Sequence, residues 1–159
     1  VIGLLAGCSF KSEEKVIEDV NEIAKTTFVD EDVPSNTDLD EFSFYLPSEF
    51  EVIEETNNNL VLQNDNGQPF ILFYNPFEDT ASRVNYEDAL EEDDDANLLL
   101  ESFEDDNRFG YISVKTSNEE DGYELQIGVG GVKITTIATK ENLEDSTAEM
   151  MKMANSIAY

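Results

Sequence analysis

Histidine and tryptophan are absent from the chain, Cys8 is its one cysteine, and Lys and Arg together number 9 against 37 Asp and Glu. Each shortage excludes something. Without histidine no Ser–His–Asp or Cys–His site can be built, and the commonest general base and transition-metal ligand are missing. Zinc enzymes of the usual kinds go with them. One cysteine cannot make a disulfide within the chain, so the fold must be held by its core. A formal charge of −28 leaves few cations to neutralise phosphate, which excludes nucleic acid as a partner. Anionic lipid head groups and anionic wall polymers are repelled for the same reason; the bland reading of such a surface is good solvation, and the alternative is loose attraction of divalent cations. What is present suffices for one domain: 159 residues, 40% hydrophobic, with 10 Phe and 6 Tyr to fill an interior.

The chain opens Val1-Ile2-Gly3-Leu4-Leu5-Ala6-Gly7-Cys8-Ser9 and then turns abruptly polar at Lys11-Ser12-Glu13-Glu14-Lys15. The apolar opening is too short to span a bilayer. It reads as the clipped end of a secretory signal peptide, and Leu5-Ala6-Gly7-Cys8 resembles the lipobox of bacterial lipoproteins. That resemblance implies a diacylglyceryl group on the Cys8 thiol and cleavage just before it, hence export and attachment to the outer side of the cytoplasmic membrane. The small residues Ala6 and Gly7 suit close approach of a protease. Two acyl chains, at about 0.8 kcal/mol per buried CH₂, hold a soluble domain where one would not.

Three segments follow: 1–7 as signal-peptide remnant, 8–40 as lipidated N-terminus with an amphipathic helix and an acidic linker, and 41–159 as the globular domain. Val16, Ile17, Val20, Ile23, Ala24 and Phe28 recur at helical spacing over residues 12–28, with Ser12 at the start. An apolar stripe of that kind wants cover, so packing on the domain is the expectation. Residues 29–40 are acidic and carry Pro34, Ser35 and Asn36, which suits a linker. From Glu41 the period becomes two. Strands are expected at 42–46, 51–55 and 60–63, and Asn64-Asp65-Asn66-Gly67 is a hairpin turn. Residues 70–74 (FILFY) read as a central strand covered on both faces. A short helix around Tyr86, Ala89 and Leu90 ends at Asp93-Asp94-Asp95. Hairpins follow at 98–116, turning at residues 105–107, and at 123–139, turning at Gly130-Gly131. Leu143, Thr147, Met150, Met151, Ala154 and Ile157 line a closing amphipathic helix capped by Asn142 or Ser146. The sum is an α+β fold, an antiparallel sheet covered by helices, with an amphipathic helix at each end. With its Phe44-Tyr45-Leu46-Pro47 step, the order over 41–159 resembles the PsbP/Mog1-like α+β sandwich. That resemblance is one of topology and implies no site residue.

No constellation carries catalysis. Carboxylate pairs are numerous by composition alone, and a carboxylate-based hydrolase would need two at a fixed separation with distinct roles. Asp93, Asp95, Asn97, Glu101 and Glu104 match positions 1, 3, 5, 9 and 12 of a calcium loop, but Leu98 stands where the turn needs Gly. Asp30, Asp32 and Glu41 form a poorer match. Ile127-Gly128-Val129-Gly130-Gly131-Val132 has the glycines of a phosphate loop without its following helix or Gly-Lys-Ser/Thr. Met150, Met151 and Met153 sit on core spacing rather than as a copper box. Tyr45, Phe73, Tyr74, Phe77 and Tyr86 could line a pocket near Asn75-Pro76, although strand aromatics are more often core. The expectation is therefore a non-enzymatic, membrane-anchored binding or accessory protein, with no cofactor or metal and an unknown protein or small-molecule partner. The alternatives are a calcium-binding surface protein and a carboxylate-based hydrolase. Crowded carboxylates repel one another, so the melting temperature should rise from low salt to about 0.15 M NaCl, where the Debye length is about 8 Å. A melting temperature flat in salt contradicts this.

Overall fold

A computed structural model of the protein describes residues 10–30, 33–92, 95–119 and 121–157. Helix α1 (Glu13–Val29) starts where the Ser12 hydroxyl accepts from the Lys15 backbone N–H at 3.2 Å, with Glu13 and Glu14 at the positive end of the helix dipole. Its buried side chains, Val16, Val20, Ala24 and Phe28, fall four residues apart and make one stripe. That stripe packs on α3 (Leu143–Ser156), which a 3-10 turn (Lys140–Asn142) introduces, and on the sheet. All the apolar positions expected on the closing helix are buried, and Met153 is buried with them, so the methionines are core. Asn142 is the N-cap residue but makes no side-chain cap, and Ser146 lies within the helix. The first helix, expected in a segment ahead of the domain, is part of the domain's core.

The sheet contains β3 (Phe50–Glu55), β4 (Asn59–Asn64), β5 (Pro69–Tyr74), β6 (Asn97–Glu104), β7 (Phe109–Thr116), β8 (Gly122–Val129) and β9 (Val132–Thr139). Their order is β3-β4-β5-β9-β8-β7-β6, antiparallel throughout. Two blocks of sequential hairpins thus meet where β5 pairs with β9. Leu60, Leu72, Ile134, Ile127 and Ile112 form a single row across β4, β5, β9, β8 and β7, and all are buried. This inner face carries α1 and α3. The α+β class is as the sequence reads, and among the described residues no helix is long and apolar enough to cross a membrane.

Two local expectations need correction. Residues 42–46 do not form a full strand. Only β1 (Thr37–Asp38) and β2 (Ser43–Phe44) pair, and β1 falls inside the expected linker. The Asn36 side chain stands in for the missing ladder, accepting from the Leu46 N–H at 2.8 Å and donating to the Leu46 carbonyl at 3.0 Å. Strand β5 is central but not covered on both faces. Phe70, Leu72 and Tyr74 are buried beneath the helices, while Ile71 on the opposite face is 51% exposed. Among the described residues the outer face carries only α2 (Val84–Glu91), which sets Tyr86 on Phe109 and Tyr111 of β7, far along the sheet from β5.

Arg108, in the β6–β7 turn, fastens the helical layer to the sheet. Its guanidinium donates to Asp105, to the Phe28 carbonyl at 2.9 Å and to Asn155 of α3, and lies 4.5 Å over the Phe28 ring. Asn155 in turn donates to the Thr27 carbonyl. The final turn of α1 has no basic residue of its own, so Arg108 supplies the cation that its free carbonyls favour. The Asn107 backbone N–H, and then Arg108, hold the Asp105 carboxyl below its usual range. Arg108→Met should cost roughly 2 kcal/mol by removing a donor from Asn155 Oδ1, the Phe28 carbonyl and the Asp105 carboxylate, and Arg108→Lys should recover only part because an ammonium cannot fork. A group whose folded value is depressed stabilises fully above its unfolded value and loses that contribution as pH falls through the folded one. The melting-temperature gap between wild type and Asp105→Asn should therefore be widest near pH 7 and shrink below the ordinary value of 3.8. A gap constant from pH 7 to 3 contradicts the assignment.

Candidate functional site

The residues singled out in the sequence scatter. Cys8, Asp32 and Asp93 lie outside the described residues. Of the calcium-loop spacing, Asn97, Glu101 and Glu104 lie on β6, paired along its length with β7. At about 3.4 Å per residue, positions 97 and 104 stand about 23 Å apart along a strand, too far to share an ion. Glu101 lies opposite Ile112 on the inner face and Glu104 opposite Phe109 on the outer, where Arg83 pairs with it. Among the described residues no three acidic or thiol side chains are grouped to hold a metal.

The glycine run is a packing device. Gly130 has φ +55°, and a Cβ there would meet the Asp79 carbonyl oxygen at 2.2 Å. The Gly131 N–H donates to Asp79, the Asn75 N–H donates to Gly131, and buried Asn85 donates to the Gly130 carbonyl. The β8–β9 turn is thus bound to the chain after β5 and offers no phosphate cradle.

Nor do the aromatics share a pocket. Tyr74 faces the helices against Phe42 at 4.7 Å, whereas its neighbour Phe73 is on the other side of the sheet, with Lys133 Nζ 5.8 Å from its ring. Tyr86 is held under α2, and Phe77 is 93% exposed. Tyr45 belongs to the β2 end, where its N–H donates to Ser156 Oγ.

What the structure does assemble is an apolar strip on the outer sheet face. Register places Val61 beside Ile71 and Ile71 beside Thr135, with Phe73 beside Lys133 and Ile137 on the neighbouring β9. Ile53, the residue skipped at the β3 bulge, is half exposed at the edge. The strip has a boundary and a rim. Tyr111 closes it on the β7 side, buried, its hydroxyl donating to Gln126 Oε1 at 2.7 Å. Burial pushes that phenol far above its usual pKa, so it stays a neutral donor. Gly128 makes room for the ring, since a Cβ there would stand 2.3 Å from it. Around the rim lie Glu51 and Glu54 on β3 and Glu124 on β8, none in an ion pair among the described residues.

A second concavity, about 310 Å³, opens between the β4–β5 turn and α3. Glu49, Asp65, Asp145 and Glu149 surround the Phe50–Phe70 pair there, whose centroids are 4.9 Å apart. Gln68 is spent on Thr136 and Ser146, and Glu149 pairs with Lys152 at 3.4 Å. No nucleophile–base pair is formed in it, and its carboxylates suit diffuse attraction of cations. Calcium and magnesium should consequently shift the melting temperature alike, and about 0.15 M NaCl should abolish the effect. Calcium-selective stabilisation at micromolar concentration that is lost in Asp93→Ala/Asp95→Ala contradicts this.

No family model and no curated protein sequence matches the chain. Among solved structures, the fold is similar to the solution structure of cyanobacterial PsbP (CyanoP) from Synechocystis sp. PCC 6803. The TM-score is 0.48 at 8% identity, over 77% of this chain and 89% of that one. The α+β architecture stands on the strand order and helix packing described above.

Proposed function

We propose that the protein is a lipoprotein anchored through Cys8 on the extracytoplasmic face of the membrane, whose α+β domain acts by binding and not by catalysis. The observation that carries the anchor is the run Leu5-Ala6-Gly7-Cys8, followed at once by polar chain. The absence of histidine supports a non-enzymatic role, and the apolar strip of the outer sheet face supports a binding one.

The packing of α1 gives this reading a geometry. Ser12 caps a helix that is part of the core, and it lies four residue steps after Cys8. A chain reaches at most about 3.6 Å per residue, so the lipid would hold the domain within about 14 Å of its anchor point. The end nearest the membrane would be the start of α1 with its partners: Lys11 reaches Glu144 of α3, and Tyr123 of β8 donates to Glu13 at 2.6 Å. That hydrogen bond pushes the Tyr123 phenol up to about 12. The sheet would then stand on its end, with the outer face turned sideways and open.

Cys8→Ala should release the protein from the membrane or leave an unprocessed precursor, because no other thiol exists to take the lipid. Metabolic labelling with a fatty-acid analogue should mark the wild type alone. A labelled Cys8→Ala protein rules out the anchor.

A further inference from the structure

We infer that the open half of the outer sheet face, Val61, Ile71, Phe73 and Ile137 within a rim of Glu51, Glu54 and Glu124, docks a cationic protein partner through an extended segment. The segment would present apolar side chains at its middle and Lys or Arg at its ends. This rests on the domain being a binding module, and not on the anchor.

An apolar strip bordered by charge is the kind of surface that marks an interaction site. Charge decides what covers it. A second copy of this chain would bring another −28 against the first, and a two-fold contact would set Glu54 and Glu124 of each copy within a Debye length of their counterparts. Nucleic acid and anionic lipid carry the same sign. Seven of the protein's nine Lys and Arg are already engaged. Lys11, Lys15, Arg83, Arg108 and Lys152 sit in ion pairs, Lys115 donates to the Glu92 carbonyl, and Lys133 lies over Phe73. The rim carboxylates make no ion pair among the described residues, although Lys115 stands opposite Glu124 in the register, so they are open to positive charge from a partner.

Strand geometry fixes the spacing. Glu54 on β3 lies opposite Val61 on β4, Val61 opposite Ile71 on β5, and Glu124 is on β8 beyond β9. Four inter-strand steps of about 4.8 Å span about 19 Å from Glu54 to Gln126, and Glu124, two residues further along β8, lies about 20 Å away on the diagonal. An extended segment repeats its side chains on one face every two residues, about 6.8 Å, so positions 1 and 7 stand about 20 Å apart. A heptapeptide with Lys at positions 1 and 7 and Leu at positions 3 and 5 therefore matches: cations over Glu54 and Glu124, the first Leu between Val61 and Ile71, and the second over β9 beside Ile137. The rim gives orientation and encounter rate, and the strip gives the contact.

The test uses the full chain carrying Cys8→Ala, so that binding is read whether or not the anchor is real. The probe is the peptide KSLSLSK, with KSSSSSK and ESLSLSE as controls, and the readout is amide and methyl chemical shifts during titration. Saturable shifts confined to residues around Val61, Ile71, Phe73 and Ile137 are expected, with each control at least fivefold weaker. Ile71→Thr, which keeps a β-branched residue in the strand, and Glu54→Gln/Glu124→Gln, which leaves the core untouched, should each weaken the probe at least threefold. Absence of binding, shifts spread over the whole acidic surface, equal binding by either control, or full affinity in Glu54→Gln/Glu124→Gln overturns the proposal. None of these outcomes bears on fatty-acid labelling at Cys8, so the two readings fail separately.

Discussion

A seven-stranded antiparallel sheet has two faces, and this chain brings α1 and α3 to one of them and the eight residues of α2 to the other. That disproportion governs the rest. With no disulfide to draw on, stability must come from burying apolar surface, at about 25 cal/mol per Å². The row from Leu60 to Ile112 and the stripes of α1 and α3 do this on the inner face. On the outer face α2 sets Tyr86 on Phe109 and Tyr111 of β7, and both are buried. From β9 to β3 the strands face outward without a helix over them among the described residues, and the side chains there are a mixture of aliphatic, aromatic, polar and charged groups.

Charge is distributed to suit this arrangement. Three of the few basic residues serve as internal staples at element ends. Arg108 joins both helices to the β6–β7 turn, Lys11 joins the start of α1 to that of α3, and Arg83 joins the foot of α2 to the end of β6. Carboxylates are thereby left in excess over the remaining surface, where water solvates them. A fold built in this way tolerates −28 because the charge lies outside a core that is apolar, and the same excess determines the sign of whatever approaches it.

Much of the fold is legible in the sequence because its periods are strong. The stripe of α1, the capping by Ser12, the 64–67 turn and the two C-terminal hairpins follow from spacing and from turn residues that act locally. Three features are not local. Asn36 replaces a strand ladder with its side chain, a contact ten residues away that no period announces. The acidic calcium-loop match dissolves because Leu98-Leu99-Leu100 takes the chain into β6, and strand parity then sends Glu101 and Glu104 to opposite faces. The run Phe70-Ile71-Leu72-Phe73-Tyr74 looks doubly buried because both of its faces are apolar. Only a count of the helix available to cover them, about one short helix between β5 and β6, could have shown that Ile71 is left open and Phe73 only partly covered. Val61, Ile137, Glu54 and Glu124 were missed for the same reason: register alone assembles them.

The central claim is that neighbouring residues of β5 live in two environments, a sealed helical side and an open side. Hydroxyl-radical footprinting of the unlipidated full chain tests it residue by residue. The account predicts modification of Ile71 and Phe73 with protection of Phe70, Leu72 and Tyr74. Equal protection of all five would mean that the outer face is covered within the chain, and would contradict the account.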